Sequence, residues 1–182
     1  IKENLSLLGF GCMRLCVNKD NAIDEPRAIK QIRSAIDSGI NYFDTAWPYH
    51  GGKSEPLLGK ALAGGYRDKV NIATKLPSWM VNDREQMDDI LNRQLEFLQT
   101  DRVDFYLIHN LAGPMWQKMK ALGVIDFLDQ ARQSGKIRYA GFSFHGLVDD
   151  FEAIVDDYDW EFCQIQFNFL DQDYQAGTRG LK

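Results

Sequence analysis

The sequence predicts an α/β protein with a parallel sheet: a (β/α)8 barrel, incomplete in this chain, with about six β/α units present. Three observations lead there. Short apolar runs alternate with amphipathic stretches at a repeat of roughly thirty residues, the length of one β/α unit. Three successive apolar runs end on a titratable side chain: Ile40–Phe43 on Asp44, Val70–Thr74 on Lys75 and Val103–Ile108 on His109. In a barrel of parallel strands, the C-terminal strand ends are where chemistry sits. Finally, no Gly-x-Gly-x-x-Gly follows any strand, which weakens the competing doubly wound sheet. Gly9-x-Gly11 does close a strand, but the stretch after it, Cys12–Asn21, has no helical pattern.

The elements follow in order. Leu7–Gly11 reads as a first short strand. Pro26–Ser38 reads as a helix, with Asp24 as its cap, Pro26 in its first turn, Gly39 closing it, and Ile29, Ile32 and Ile36 on one face. Strand Ile40–Asp44 follows, then a short helix capped by Ser54 that carries Leu57, Leu58, Ala61 and Leu62 and stops near Gly64-Gly65. Strand Val70–Thr74 precedes a helix over Asp83–Leu98 with Met87, Ile90, Leu91, Leu95 and Leu98 facing inward. Strand Val103–Ile108 leads through a loop, Asn110–Trp116, to a helix over Trp116–Gln133, which Gly123 is placed to break. Strand Ile137–Phe142, a helix near Leu147–Asp156 and strand Glu161–Ile165 complete six strands and five helices. A six-strand open barrel leaves unpaired edges and a half-covered core. Residues 1–182 are therefore expected to be one barrel domain, about the N-terminal three quarters of it, with the remaining units outside this chain.

Composition excludes several classes. A chain of 182 residues with 45% hydrophobic content can bury one sizeable core, and no linker or charge block divides it. A net charge of −5 without a basic face argues against a nucleic-acid partner. No apolar run has the length of a membrane span. Three cysteines, Cys12, Cys16 and Cys163, are too few and too scattered for a disulfide framework, so a cytoplasmic, reducing setting is expected. Cys12 and Cys16 lack a second ligand pair, so no metal site is expected.

The chemistry lies in Asp44, Tyr49, Lys75 and His109. Reducing a carbonyl by hydride transfer builds an alkoxide, which needs a proton. A tyrosine hydroxyl is a weak acid unless a nearby ammonium stabilises its phenolate. Lys75 is the candidate ammonium, Asp44 its counter-ion and orienter, and His109 a second donor or proton relay. Taken singly, each has a plainer reading: Asp44 a turn former, Lys75 a solvated strand end, His109 a satisfied core histidine, Tyr49 a packed loop residue. Three of them at consecutive strand ends favour the joint reading. Trp47 and Trp79 fall on loops after strand ends and are candidate walls of an apolar pocket.

The motifs together resemble the aldo-keto reductase superfamily. They are Gly9–Arg14, Gly39–Ala46 with Tyr49 beyond it, Gly51–Leu58, Ala73-Thr74-Lys75, Asp104–His109, Gly135–Ser143 and Gln164–Asn168. The resemblance implies a (β/α)8 barrel that reduces an aldehyde or ketone with NADPH or NADH, with Tyr49 as proton donor tuned by Lys75 and Asp44, and His109 orienting a small-molecule carbonyl substrate. It further implies that Ser143 and Gln164 hold the nicotinamide carboxamide. The family often has Ser-Asn after the fifth strand, where this chain has Ser143 followed by Phe144 and His145. The stretch Asp171–Thr178 resembles a branch whose members often carry a ferredoxin-like domain with [4Fe–4S] clusters. By that resemblance, such a domain would lie beyond Lys182. Two alternatives stand beside the reductase: a regulatory nucleotide-binding barrel subunit that turns over slowly, and a barrel enzyme using Lys75 as a Schiff-base amine.

Overall fold

The computed structural model describes residues 1–181. Six parallel strands pair strictly in sequence order: β1 (Phe10–Gly11), β2 (Tyr42–Asp44), β3 (Asn71–Leu76), β4 (Val103–Leu111), β5 (Ile137–Phe144) and β6 (Phe162–Ile165). Helices α1 (Glu25–Asp37), α2 (Ser54–Leu62) and α3 (Glu85–Leu98) form the first three crossovers. The fourth is split into α4 (Gly113–Ala121) and α5 (Val124–Gln133), and α6 (Val148–Asp156) is the fifth. The result is a curled half-barrel with β1 and β6 at its edges. Among the described residues, no helix is long and apolar enough to cross a membrane.

Strand alternation sorts the side chains onto two faces. Phe43, Ile72, Tyr106, Ile108, Ala140 and Phe142 point outward into the main core, where they meet Ile32, Leu58, Leu91, Phe127 and Ile154 from the helices. The opposite parity, Tyr42, Ala73, Phe105, Leu107, Tyr139 and Phe162, forms a smaller cluster on the concave face. Continuing that parity toward the C-terminal strand ends reaches Asp44, Lys75, His109, Ser143 and Gln164. The register keeps them in one row, with Gly11 opposite Asp44, Asp44 opposite Ala73, and Ser143 opposite Gln164. The fold therefore aims five polar side chains into one end of a concave, otherwise apolar surface.

Local chemistry explains most element ends. Asp24 accepts a hydrogen bond from the Arg27 amide at 3.3 Å and opens α1, with Pro26 in the first turn. Gly123 adopts a left-handed conformation, φ 81°, and breaks the long fourth helix there.

Four expectations need correction. The first strand is only Phe10–Gly11; Leu7 and Leu8 lie outside it and are exposed, because Ser6 is tied instead to Asn41 by reciprocal hydrogen bonds. Ser54 is not a cap: it is buried inside the first turn of α2, and its hydroxyl bonds the Cys12 carbonyl at 3.1 Å and Thr45 Oγ1 at 2.9 Å. Strand β4 runs on to Leu111 through a register shift, and α4 begins at Gly113, so no long loop separates them. The break at Gly123 gives six α-helices among the described residues rather than five.

Candidate active site

Asp44 ends β2, and the chain then turns sharply. The Thr45 amide donates to the Ala73 carbonyl at 2.9 Å, and a tight turn over Tyr49–Gly52 follows. His50, Gly51 and Gly52 all take positive φ there, a reversal that glycines accept without strain. The Leu15 amide donates to His50 Nε2 at 3.0 Å and pins this turn to the segment after β1. Tyr49 is thereby held over the strand ends.

Lys75 is almost fully buried, and its ammonium has four acceptors within reach. It donates to Asp44 Oδ1 and Oδ2, each at 2.7 Å, and to the Thr45 carbonyl at 2.8 Å; Tyr49 Oη lies at 3.4 Å. An ammonium carries three protons. Asp44 and the Thr45 carbonyl absorb most of that capacity, and Tyr49 has the weakest share. Burial pushes Lys75 down and Asp44 up, while each partner's charge pulls the other back. Tyr49 is pushed up to about 12, first by burial and then by the negative charge of Asp44. The expected lowering of the phenol is therefore absent in this structure, because burial and the Asp44 carboxylate both favour the protonated form. Tyr49 is fully protonated at neutral pH.

His109 stands on β4 opposite this corner. Its ring meets that of Tyr49 edge-on at 6.2 Å between centroids, and Trp79 packs against its other side at 5.1 Å. Burial, then the nearby charges of Lys75 and His145, lower it to about 3, so the imidazole is neutral. Its Nδ1 is buried without a hydrogen-bond partner. Asn110, the next residue, takes a left-handed conformation at the β4 register shift, and its amide donates to Ser143 Oγ at 2.8 Å. That bond uses Ser143 as acceptor and leaves its own O–H to donate elsewhere. Gln164, exposed on β6, adds a further pull on the Asp44 carboxylate.

The six candidate catalytic and cofactor-binding residues, Asp44, Tyr49, Lys75, His109, Ser143 and Gln164, therefore converge. Tyr49, Lys75, His109, Ser143 and Gln164 line one cavity of about 260 Å³, with Asp44 directly behind Lys75. Sequence reasoning missed Met13, which also lines it, and Ser78, whose hydroxyl fixes the His109 carbonyl at 2.7 Å. Met13 belongs to the Gly9–Arg14 motif but has no titratable group to single it out, and a serine after Pro77 reads as an ordinary loop residue. Of the two candidate tryptophan walls, only Trp79 stands by the site. Trp47 faces away and packs on Phe97 at 6.0 Å.

The Aldo/keto reductase family profile matches residues 7–179, and the chain belongs to that family. It is 33% identical over 160 residues to aldo-keto reductase YhdN of Bacillus subtilis (strain 168), taking in 82% of this chain and 47% of that protein. Among solved structures, it is similar to the holo form of aldo-keto reductase AKR11C1 from Bacillus halodurans, with a TM-score of 0.71 and 28% identity over 89% of this chain and 53% of that one. An aldo-keto reductase from Klebsiella pneumoniae in complex with NADPH gives a TM-score of 0.69 at 26% identity, over 85% of this chain and 51% of that one. The chain spans about half the length of these relatives. Its six strands are the partial (β/α)8 barrel expected from the sequence.

Proposed function

We propose that this chain carries the proton-delivering site of an NAD(P)H-dependent carbonyl reductase. The observation that carries the reading is the corner in which Lys75 Nζ grips both oxygens of Asp44 and lies 3.4 Å from Tyr49 Oη, beside a neutral His109. A reduced nicotinamide, when bound, supplies the hydride. The Ser143 hydroxyl and the Gln164 amide suit its carboxamide: the hydroxyl proton is uncommitted, and the amide has a second N–H besides the one directed at Asp44. The protein supplies the proton. As charge builds on the carbonyl oxygen, the Tyr49 O–H bond breaks and its proton passes to that oxygen. The phenolate left behind lies against the Lys75 ammonium, which stabilises it. A phenol near 12 holds its proton until the oxygen becomes basic, which suits a donor. Neutral His109 offers a hydrogen bond to the same oxygen and orients it.

Lys75 is ill placed for Schiff-base chemistry, because its nitrogen is buried and bonded to a carboxylate and a carbonyl. A slowly turning regulatory subunit would share this geometry, so rate separates the two readings. The test is to mix the full chain with NADPH and a small aromatic aldehyde and follow the nicotinamide absorbance. Aldehyde-dependent loss of absorbance, with the alcohol as product, is the expected result. A flat trace at saturating NADPH and aldehyde would remove the reductase reading for this chain.

A further inference from the structure

Glu55 is a carboxylate that the proposed reaction does not use, yet it is 1% exposed. It belongs to α2, on the helix side of the sheet, where neighbouring positions are apolar. Its Oε1 accepts hydrogen bonds from Thr74 Oγ1 at 2.5 Å and from Gln94 Nε2 at 2.7 Å. The same Gln94 amide donates to the backbone carbonyl of Lys75 at 3.0 Å. Tyr106 Oη donates to Gln94 Oε1 at 2.8 Å, which fixes the amide with its nitrogen toward Glu55 and Lys75. Thr74, Gln94 and Tyr106 are fully buried. Four elements, α2, β3, α3 and β4, thus commit buried polar groups to one knot, and Gln94 attaches it to the strand backbone at Lys75.

Such a knot is a poor way to stabilise a core. A satisfied buried polar network gains little over well-packed apolar residues, and a carboxylate there is costly to desolvate. Its geometry has a different consequence. Lys75 sits between two acids on opposite faces of β3: Asp44 bonds its ammonium from the concave side, and Glu55 holds its backbone from the helix side through Gln94.

We propose that Glu55 is a positioning residue for Lys75, acting through Gln94 to hold the Lys75 carbonyl and so fix the ammonium at the Asp44–Tyr49 corner. This rests on the reading of Lys75 as the group that stabilises the Tyr49 phenolate. Electrostatics agree in sign: Glu55 is among the charges that hold the Lys75 ammonium up against burial.

The test is NMR of the full chain with labelled lysine, the Lys75 resonance being assigned by its loss in Lys75→Met. Glu55→Gln keeps the shape and an acceptor oxygen but removes the charge. Gln94→Met removes the tie to the Lys75 carbonyl. In Glu55→Gln the fold is expected to persist while the Lys75 titration midpoint moves down. In Gln94→Met the ammonium protons are expected to exchange faster with water. In turnover, both should lower kcat by about tenfold or more with KM held, as a misplaced catalytic group does. An unchanged Lys75 midpoint and exchange rate in both variants would overturn the proposal, and so would loss of the fold in Glu55→Gln, which would make the knot purely structural. The NMR readout needs no turnover. If Lys75 responds while the wild-type chain reduces nothing, the positioning stands and the reductase reading alone fails.

Discussion

At the residue scale, the site is governed by how few protons one ammonium has. Lys75 spends its hydrogen bonds on Asp44 and Thr45, and burial, followed by the Asp44 charge, holds the Tyr49 phenol at about 12. Sequence alone singled out the four side chains that the fold brings to one corner, because a charged side chain at the end of an apolar run needs a partner or a task. It misjudged the direction of the tyrosine's shift, because burial and the competition for lysine protons are set by geometry rather than spacing. His109 gives a sharper consequence. Its folded-state pKa of about 3 lies below its ordinary 6.5, so the native protein binds this proton more weakly than the unfolded chain. The associated stability is present above pH 6.5 and is lost as pH falls toward 3, by an amount on the order of a few kcal/mol. Urea unfolding across that range should show it, and His109→Gln should flatten the dependence. An equally steep acid loss in His109→Gln would assign the effect to other groups.

At the element scale, close backbone approach sets the packing of α2 on α3. A Cβ added at Gly59 would lie 2.5 Å from the Phe97 carbonyl oxygen and 2.9 Å from the Leu98 carbonyl carbon. Backbone cannot yield as a side-chain tip can, so Gly59→Ala should destabilise by roughly 1–3 kcal/mol despite its better helix propensity. Thermal unfolding checks this, and an unchanged or raised Tm would contradict the tight crossing. The same displacement would tug on the Glu55–Gln94 tie, since both helices carry it. The helices were legible in the sequence from the periodicity of Ile32, Ile36, Met87, Leu91 and Leu98, and the break at Gly123 from the glycine itself. The strand ends were less so. The β4 register shift at Asn110 depends on a hydrogen bond to Ser143 on the next strand, and Leu7-Leu8 looked like strand because apolar composition carries no record of exposure.

At the scale of the whole molecule, the two ends of the half-barrel do different work. The site occupies the C-terminal strand ends, and the opposite end is tied by ion pairs. There Asp104, 1% exposed, accepts from the Ile72 amide at 3.0 Å and from Arg67 at 2.8 Å, and Arg138 reaches its other oxygen at 3.3 Å. Arg138 also binds Glu3, which joins the N-terminal segment to β5. Removing the buried acid leaves the Ile72 amide without its acceptor and takes one partner each from Arg67 and Arg138, which keep others in the Val70 and Arg102 carbonyls and in Glu3. Asp104→Ala should therefore cost roughly 1–3 kcal/mol, chiefly for the orphaned buried amide, measurable by denaturant unfolding; a loss well below about 1 kcal/mol, typical of exposed pairs, would contradict it. The barrel class was readable because β/α alternation and the titratable strand ends point the same way. The curl of the sheet and the lining of the cavity were not, since they arise from long-range register. We propose Tyr49 as the group that delivers the proton. Its most direct test is Tyr49→Phe, which deletes one oxygen and keeps the ring against His109. With NADPH and an aldehyde, kcat should fall by roughly a hundredfold or more, with the fold intact by circular dichroism. Turnover equal to that of the unaltered chain would contradict the account.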